Sequence, residues 1–322
     1  MKKALITGIN GQDGSYLSEF LLSKGYEVCG TLKRNSVAEN QSERLDSVYG
    51  KVKLVYADVT DMSSLLFVLK EFNPDEVYNL AAQSHVRISF DQPLYTTQVV
   101  AIGTLNLLEA CRLQCPNAKI YQASSSEMFG NNIDPDGFQR ETTPFSPVSP
   151  YGCAKVYAHN ICKNYRHSYG MHISNGILFN HESSRRGSNF VTGKVVKEAV
   201  KIKLGLSNEL KLGNLDATRD WGHAKDYVRA MWMMLQQKQP VDLVCSTGVS
   251  HSVRELCDYA FTKLGLDYND YISIDKRYFR PEELNNLKGD SSKLRALGWQ
   301  PEYTFESMID EMLNHWQKKL KK

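Results

Sequence analysis

The segment Thr7–Leu22 reads TGINGQDGSYLSEFLL. It continues a short apolar run, Lys3–Thr7, and opens into a helical pattern from Ser15. Its glycines, Gly8, Gly11 and Gly14, are spaced G-x-x-G-x-x-G. Such a turn lets backbone N–H groups approach a pyrophosphate, and the helix N-terminus behind it attracts negative charge. Glycine spacing alone is weak. Between a strand and a helix at the head of the chain, it predicts a dinucleotide-binding turn rather than a plain strand–helix connection.

The same alternation repeats outward from that turn. Strands are predicted at Lys3–Thr7, Glu27–Leu32, Lys53–Ala57, Glu76–Ala81, Lys119–Ala123, Ile173–Phe179 and Asp242–Ser246. Helices are predicted at Ser15–Lys24, Ser63–Glu71, Tyr95–Arg112 and Pro150–Tyr169. Non-alternating strands separated by helices specify a parallel sheet covered on both faces, wound in both directions by right-handed crossovers. The expected class is therefore α/β, a doubly wound Rossmann sheet.

Regularity weakens after Phe179. Residues 180–213 are polar and broken by Gly187, Gly193, Gly205 and Gly213. Beyond His251 come a helix, a loop marked by Pro281 and a last helix from Phe305. These segments read as a smaller α/β lobe for a substrate. Residues 1–179 and about 214–248 would form the dinucleotide domain, interleaved with a lobe of about 180–213 and 249–322.

A chain of 322 residues, 42% hydrophobic, can bury the core such a fold needs. Lys and Arg total 39 against 36 Asp and Glu, and +3 is too mild to argue for nucleic acid or membrane partners. The basic end, KKLKK, reads as a solvated helix terminus. No apolar stretch approaches a membrane span. The apolar part of MKKALITG stops after Ile6, short of a signal core, so a cytoplasmic location is expected. The seven cysteines form no CxxC pair and read as reduced, packed thiols, with Cys153 set apart by its place beside Tyr151. No metal site is expected.

An NAD-binding unit usually carries an acid about 20 residues past the glycine turn, on the ribose 2′-hydroxyl. Here the second strand ends in Thr31-Leu32-Lys33-Arg34-Asn35. Lys33 or Arg34 would suit a 2′-phosphate, which predicts NADP; a solvated basic loop is the bland reading. Asp58 ends the third strand, where it would hydrogen-bond adenine or simply close the turn.

The stretch SPYGCAKVY places Tyr151 and Lys155 one helical turn apart on one face. A lysine ammonium there should lower the tyrosine pKa and hold the nicotinamide ribose. YxxxK about 140 residues behind a phosphate turn resembles the extended short-chain dehydrogenase/reductase superfamily. In that setting ASSSEMFG (Ala123–Gly130) becomes informative. A reductase or epimerase needs a hydroxyl, a tyrosine and a lysine. A sugar-nucleotide dehydratase also needs a base for the C5 proton, and Glu127, just past the strand end, is the candidate. Taken alone, Glu127 is also readable as a loop acid.

Three longer strings sharpen the reading: LFNHESSRRGSNFVT (Leu178–Thr192), LGNLDATRDWGHAKDY (Leu212–Tyr227) and YFRPEELNNLKGD (Tyr278–Asp290). With GINGQDGSYL and YNLAAQSHV they resemble the GDP-mannose 4,6-dehydratase family along nearly the whole chain. The resemblance implies a lyase that turns GDP-mannose into GDP-4-keto-6-deoxymannose, on the way to GDP-fucose or other deoxyhexoses, with NADP recycled in each turnover. It assigns catalysis to Ser125, Glu127, Tyr151 and Lys155. It assigns the cofactor to Gly8, Ile9, Asn10, Gly11, Gln12 and Asp13, to Arg34, Asp58 and Val59, and to Leu80, Ala81, Ala82, Gln83 and Ser84. Tyr95, Lys155, His181 and Arg186 complete that set. Substrate contacts fall on Ser84, Ser125, Glu127, Tyr151, Asn180, Asn189, Lys194, Arg219, Arg280 and Glu283. His181 as a satisfied loop histidine and Trp221 as packing are the bland readings.

The resemblance also implies a homodimer or homotetramer, because the family's loop corresponding to Lys33–Arg44 reaches a neighbouring subunit. This chain departs from the family at Ser125 (usually threonine), Ser184 (usually proline) and Gly193 (usually basic), and slightly in the length of Lys33–Arg44. The runner-up reading is an NADP-dependent reductase or epimerase of a related nucleotide sugar. A third is a silent NADP-binding regulatory protein.

Overall fold

The computed structural model describes residues 1–35, 42–279 and 282–321. Its main sheet contains β1 (Lys3–Thr7), β2 (Glu27–Leu32), β3 (Lys53–Tyr56), β4 (Glu76–Asn79), β5 (Lys119–Ser125) and β6 (Ile173–Leu178). The chain then leaves through β7 (Asn180–Glu182), β8 (Leu210–Leu212) and β9 (Thr218–His223), and returns to the sheet with β10 (Asp242–Cys245). The spatial order is β3-β2-β1-β4-β5-β6-β10, with every pairing parallel. The winding direction reverses between β1 and β4, so a crevice opens at their carboxyl ends.

Helices α1 (Gln12–Ser23), α2 (Met62–Phe72), α3 (Val86–Asp91), α4 (Pro93–Thr97), α5 (Gly103–Gln114) and α6 (Pro150–Tyr169) belong to the first part of the chain. Later come α7 (Val191–Lys203), α8 (Ala224–Leu235), α9 (Val253–Thr262), α10 (Ser292–Ala296) and α11 (Phe305–Leu320). Strand periodicity divides β1 between two cores. Ala4 and Ile6 pack with Leu17 and Leu21 of α1 and Met231 of α8. Leu5 packs on the other face with Leu65 and Leu69 of α2 and Leu108 of α5. Each such buried aliphatic side chain contributes roughly 1.5–3 kcal/mol.

Local chemistry sets the elements that matter for a ligand. A Cβ on Gly14 would lie 2.5 Å from the Gly8 oxygen and 2.6 Å from the Ile9 Cα. Only glycine lets α1 start this close to the turn. Helix α6 starts at Pro150, where the Ser149 side chain accepts the Gly152 N–H at 3.0 Å, and stops at Gly170 with φ +66°.

β1, β2 and α6 have the predicted limits. β5 runs two residues further than predicted, because Ser124 and Ser125 still pair with β6. The helix expected over Tyr95–Arg112 is instead α4, a π-helical turn at Gln98–Ile102, and α5.

The segment read as merely polar, 180–213, contains α7. Its stripe of Val195, Val196, Ala199, Val200 and Ile202 packs with Leu256 and Phe261 of α9 and Met308, Ile309 and Met312 of α11. A charged opposite face hid this stripe in composition. Strands β11 (Ser250–Ser252) and β13 (Asn286–Leu287) flank β9, β7 also pairs with β9, and β12 (Ile272–Ile274) pairs with β8. Pro281 lies outside the described residues.

All seven cysteines are free, and only Cys153 is exposed. In the basic tail, Lys319 pairs with Glu43 at 2.6 Å. Among the described residues no helix is long and apolar enough to cross a membrane, and no cluster of His, Cys, Asp and Glu could hold a metal.

Candidate active site

A cavity of about 1000 Å³ opens at the carboxyl ends of the central strands and is lined on its other side by residues after β6. The phosphate turn forms one wall, through Gly8, Asn10, Gly11, Gln12 and Asp13. Lys33, Asp58, Val59 and Tyr95 line one end, and Leu80, Ala81, Ala82 and Ser84 line the floor. Ser125, Glu127, Tyr151 and Lys155 converge in the middle. Asn180, His181, Arg186, Asn189, Lys194, Arg219 and Glu283 face them.

Three expected contacts are placed differently. Ile9 is fully buried in the core against Gly30. The Gln83 side chain donates to the His85 carbonyl and the Thr96 hydroxyl, supporting the loop rather than lining the cavity. Arg34 is exposed and donates to the Asn35 carbonyl at 2.6 Å, while Lys33 lines the wall. Arg280 lies outside the described residues, as does the part of the Lys33–Arg44 loop from 36 to 41.

The catalytic candidates are held by the extension of β5. Ser125 caps the short turn that carries Glu127, its Oγ accepting the Glu127 N–H at 3.2 Å. The Ser125 side chain also hydrogen-bonds the Tyr151 phenol. Lys155 donates to the Ala123 carbonyl at 2.6 Å, and Gln122 donates to the same oxygen at 3.2 Å. Gln122 in turn accepts from Asn79, which accepts from Thr7 at 2.7 Å. A buried polar network thus runs from the strand below the glycine turn to Lys155. Fully satisfied networks of this kind hold one geometry.

The electrostatics differ from the simple expectation for YxxxK. Burial pushes the Tyr151 phenol well up, opposed by the Ser125 hydrogen bond and the positive charge of Arg186. Burial also lowers the Lys155 ammonium to about 8. Desolvation of both groups therefore outweighs any help Lys155 gives the phenol across one helical turn.

His181 has partners on both ring nitrogens, the Phe179 carbonyl at 2.7 Å and Asp13 at 2.8 Å, and stacks on Tyr227. Burial penalises both ions of the pair. Their mutual attraction still wins, leaving Asp13 below and His181 above its ordinary value. His181 therefore bridges the start of α1 to β7, which a satisfied loop histidine would not do. Trp221 is buried and stacks on Phe305, so its main role is packing.

Asp58 serves its turn by accepting from Thr60 N–H and hydroxyl, yet also lies 3.7 Å from Lys33. Lys33 donates to the Tyr95 hydroxyl at 2.7 Å. At the opposite end, Arg219 donates to the carbonyls of Thr218 and Leu284, and Lys194 sits over the Tyr278 ring at 3.5 Å.

Ser184 replaces the family's usual proline with two donors. Its N–H and hydroxyl both reach Glu311 of α11, at 3.4 and 3.0 Å. Residues that sequence reasoning did not single out are His85, whose ring bonds the Asn189 carbonyl at 3.1 Å, and Glu182, buried beneath Arg186. Glu182 sits inside the quoted string LFNHESSRRG, but its partners are visible only in three dimensions.

The family model described as GDP-mannose 4,6 dehydratase matches residues 5–312. The chain is 53% identical to GDP-mannose 4,6 dehydratase 2 of Arabidopsis thaliana, over 97% of this chain and 86% of that protein. It is 50% identical to a GDP-mannose 4,6-dehydratase of Vibrio cholerae, over 97% of this chain and 93% of the relative. Its backbone superposes on the crystal structure of a Thermus thermophilus UDP-glucose 4-epimerase complexed with NAD, with a TM-score of 0.86. Identity there is 26%, over 98% of this chain and 99% of that one.

Proposed function

The chain belongs to the GDP-mannose 4,6-dehydratase family, and from that premise we propose that it converts GDP-mannose to GDP-4-keto-6-deoxymannose and water, using a nicotinamide cofactor. One observation carries the reading: a buried glutamate, Glu127, shares the cavity with Ser125, Tyr151 and Lys155. The cradle fits a dinucleotide, because Gly14 leaves no room for a side chain where α1 meets the turn.

A bound nicotinamide would supply the hydride acceptor for C4 and the hydride donor for C6, with C5 regaining a proton from solvent. Ser125 holds the C4 oxygen while Tyr151 takes the hydroxyl proton. Lys155, anchored on the Ala123 carbonyl, would hold the nicotinamide ribose. Oxidation at C4 acidifies the C5 proton, which Glu127 removes and passes to the C6 hydroxyl as water departs. Arg219, Arg280 and Lys194 supply cations for the GDP diphosphate, with Asn180, Asn189 and Glu283 around it. Residues 1–179 with about 214–248 serve the cofactor, and about 180–213 with 249–322 serve the GDP-sugar. The working form proposed is a cytoplasmic homodimer or homotetramer feeding GDP-deoxyhexose synthesis.

The test uses purified protein and GDP-mannose in deuterated water. Product should form without added reductant and carry deuterium at C5. Stoichiometric consumption of NADPH would overturn the lyase reading.

The cofactor proposed is NADP, with Lys33 as the 2′-phosphate contact, because Lys33 lines the cavity and Arg34 points to its own loop. Lys33→Ser should cut the preference for NADP over NAD by roughly tenfold, the worth of one charge-assisted hydrogen bond. Titrating both dinucleotides decides it. If Arg34→Ser carries the loss and Lys33→Ser does not, the assignment belongs to Arg34.

A further inference from the structure

The segment between β7 and α7 crosses the cavity and carries Arg186. Two contacts constrain that guanidinium, and a third braces its neighbour. Its Nε lies 2.8 Å from Glu182 Oε2, its central carbon sits 3.7 Å from the centre of the Phe190 ring, and Phe190 in turn packs against His85. Glu182 is 2% exposed, and the same Oε2 accepts the Thr192 hydroxyl at the start of α7. Among the described residues, Arg186 is the cation within ion-pair distance of this buried carboxylate. A buried charge must keep its partner, so Arg186 cannot swing to a ligand and abandon Glu182. A guanidinium has five N–H donors in a rigid fork. The ion pair with Glu182 lies on the Nε side and leaves the Nη donors for another partner, and Arg186 lines the same cavity as Gly11, Gln12 and Asp13.

We propose that Glu182 is a positioning residue: it fixes Arg186 so that the remaining guanidinium donors meet the phosphates of the dinucleotide. The proposal rests on the reading of this cavity as a nicotinamide-dinucleotide site. It also explains why the cation is arginine. A lysine at 186 would supply one point charge, unable to hold the carboxylate and the phosphate in one plane. Phe190 and His85 brace the guanidinium from the side, and Thr192 ties the carboxylate to α7, so the element is stiff before any ligand arrives.

The experiment is a double-mutant cycle on NADP affinity, measured by titrating the full chain, with thermal midpoints recorded for each variant. Glu182→Gln keeps the volume and an acceptor for Thr192 but removes the charge. It should weaken NADP about tenfold, a typical coupling for residues in one charged network. Arg186→Ala should weaken NADP at least as much. In the Arg186→Ala background, Glu182→Gln should have no further effect on affinity, because its action runs through the arginine. A purely structural glutamate would lower the midpoint and weaken NADP equally in both backgrounds, which overturns the proposal. Unchanged affinity in Glu182→Gln overturns it as well. Glu182→Asp, with a retracted carboxylate, gives the same readout if the glutamine variant does not fold. Wild-type protein that binds neither NADP nor NAD would refute the dinucleotide reading itself, an outcome distinct from a wild type that binds while the cycle shows no coupling.

Discussion

Glu127→Gln should lower the rate of product formation by roughly 10²–10⁴-fold, the usual worth of a general base. The substitution keeps shape and volume. The backbone of the Glu127 turn is fixed independently of the carboxylate, by the bond from its N–H to Ser125 and by close packing of its carbonyl against Gly152. Fold and dinucleotide binding should therefore survive. The sharper expectation concerns which step stops. In the mechanism proposed, oxidation at C4 needs Tyr151, Ser125 and Lys155, none of which is altered. Hydride should still leave C4, so mixing the variant with GDP-mannose should give reduced nicotinamide on the enzyme without 4-keto-6-deoxy product. Rapid absorbance measurements and mass spectrometry of the products read the two steps separately. A reductase or epimerase would tolerate the loss of this carboxylate. Product formation within tenfold of wild type would remove Glu127 from the role of C5 base.

The sequence was most legible where burial is uniform. β1 and β2 are buried along all but their first residue, and their limits follow from pattern alone. α6 was legible for another reason: its Ser-Pro start and glycine stop are written in the chain. Tyr151 and Lys155 on one face, and Glu127 past a strand end, follow from the same two periodicities. Their electrostatics do not. Whether Lys155 lowers the Tyr151 pKa depends on how much water reaches both, and burial in three dimensions reverses the expectation from spacing.

The loss of the usual proline at Ser184 is a similar case. Sequence suggests a looser segment over the cavity. The two bonds to Glu311 tie that segment to the last helix by another route, across 127 positions of chain that no local pattern connects. The choice between Lys33 and Arg34 depends on which of two adjacent side chains turns inward just past the end of β2, where strand alternation no longer applies.

The largest stability effect expected lies beside Glu127, the proposed C5 base, at Gly130. Its φ is +59°, a region where an L side chain costs about 1–2 kcal/mol. A Cβ there would stand 1.8 Å from the Ser146 carbonyl oxygen and 2.8 Å from its carbon. The obstacle is backbone, so no rotamer change relieves it. The neighbourhood is also fixed: Ser146 N–H donates to the Met128 carbonyl at 3.0 Å, and Met128 and Phe129 are fully buried with Ile177, Phe179 and Leu284. Gly130→Ala must therefore displace either the 145–148 segment or the turn that carries Glu127. The total loss should be on the order of 4 kcal/mol, in the range that marks strain at a special backbone position. At about 2–4 °C per kcal/mol for a large domain, the thermal midpoint should fall by roughly 10 °C.

Gly137 supplies the control. It has φ +85° on the same excursion of chain, and an added Cβ meets nothing within 4 Å. Gly137→Ala should lose only the conformational part, about 1–2 kcal/mol. If the two alanine variants melt together, close packing around Gly130 is not what holds the turn that carries Glu127. If Gly130→Ala melts far lower, and its residual activity falls further than its folded fraction, then the glycine that ends ASSSEMFG sets where the Glu127 carboxylate stands.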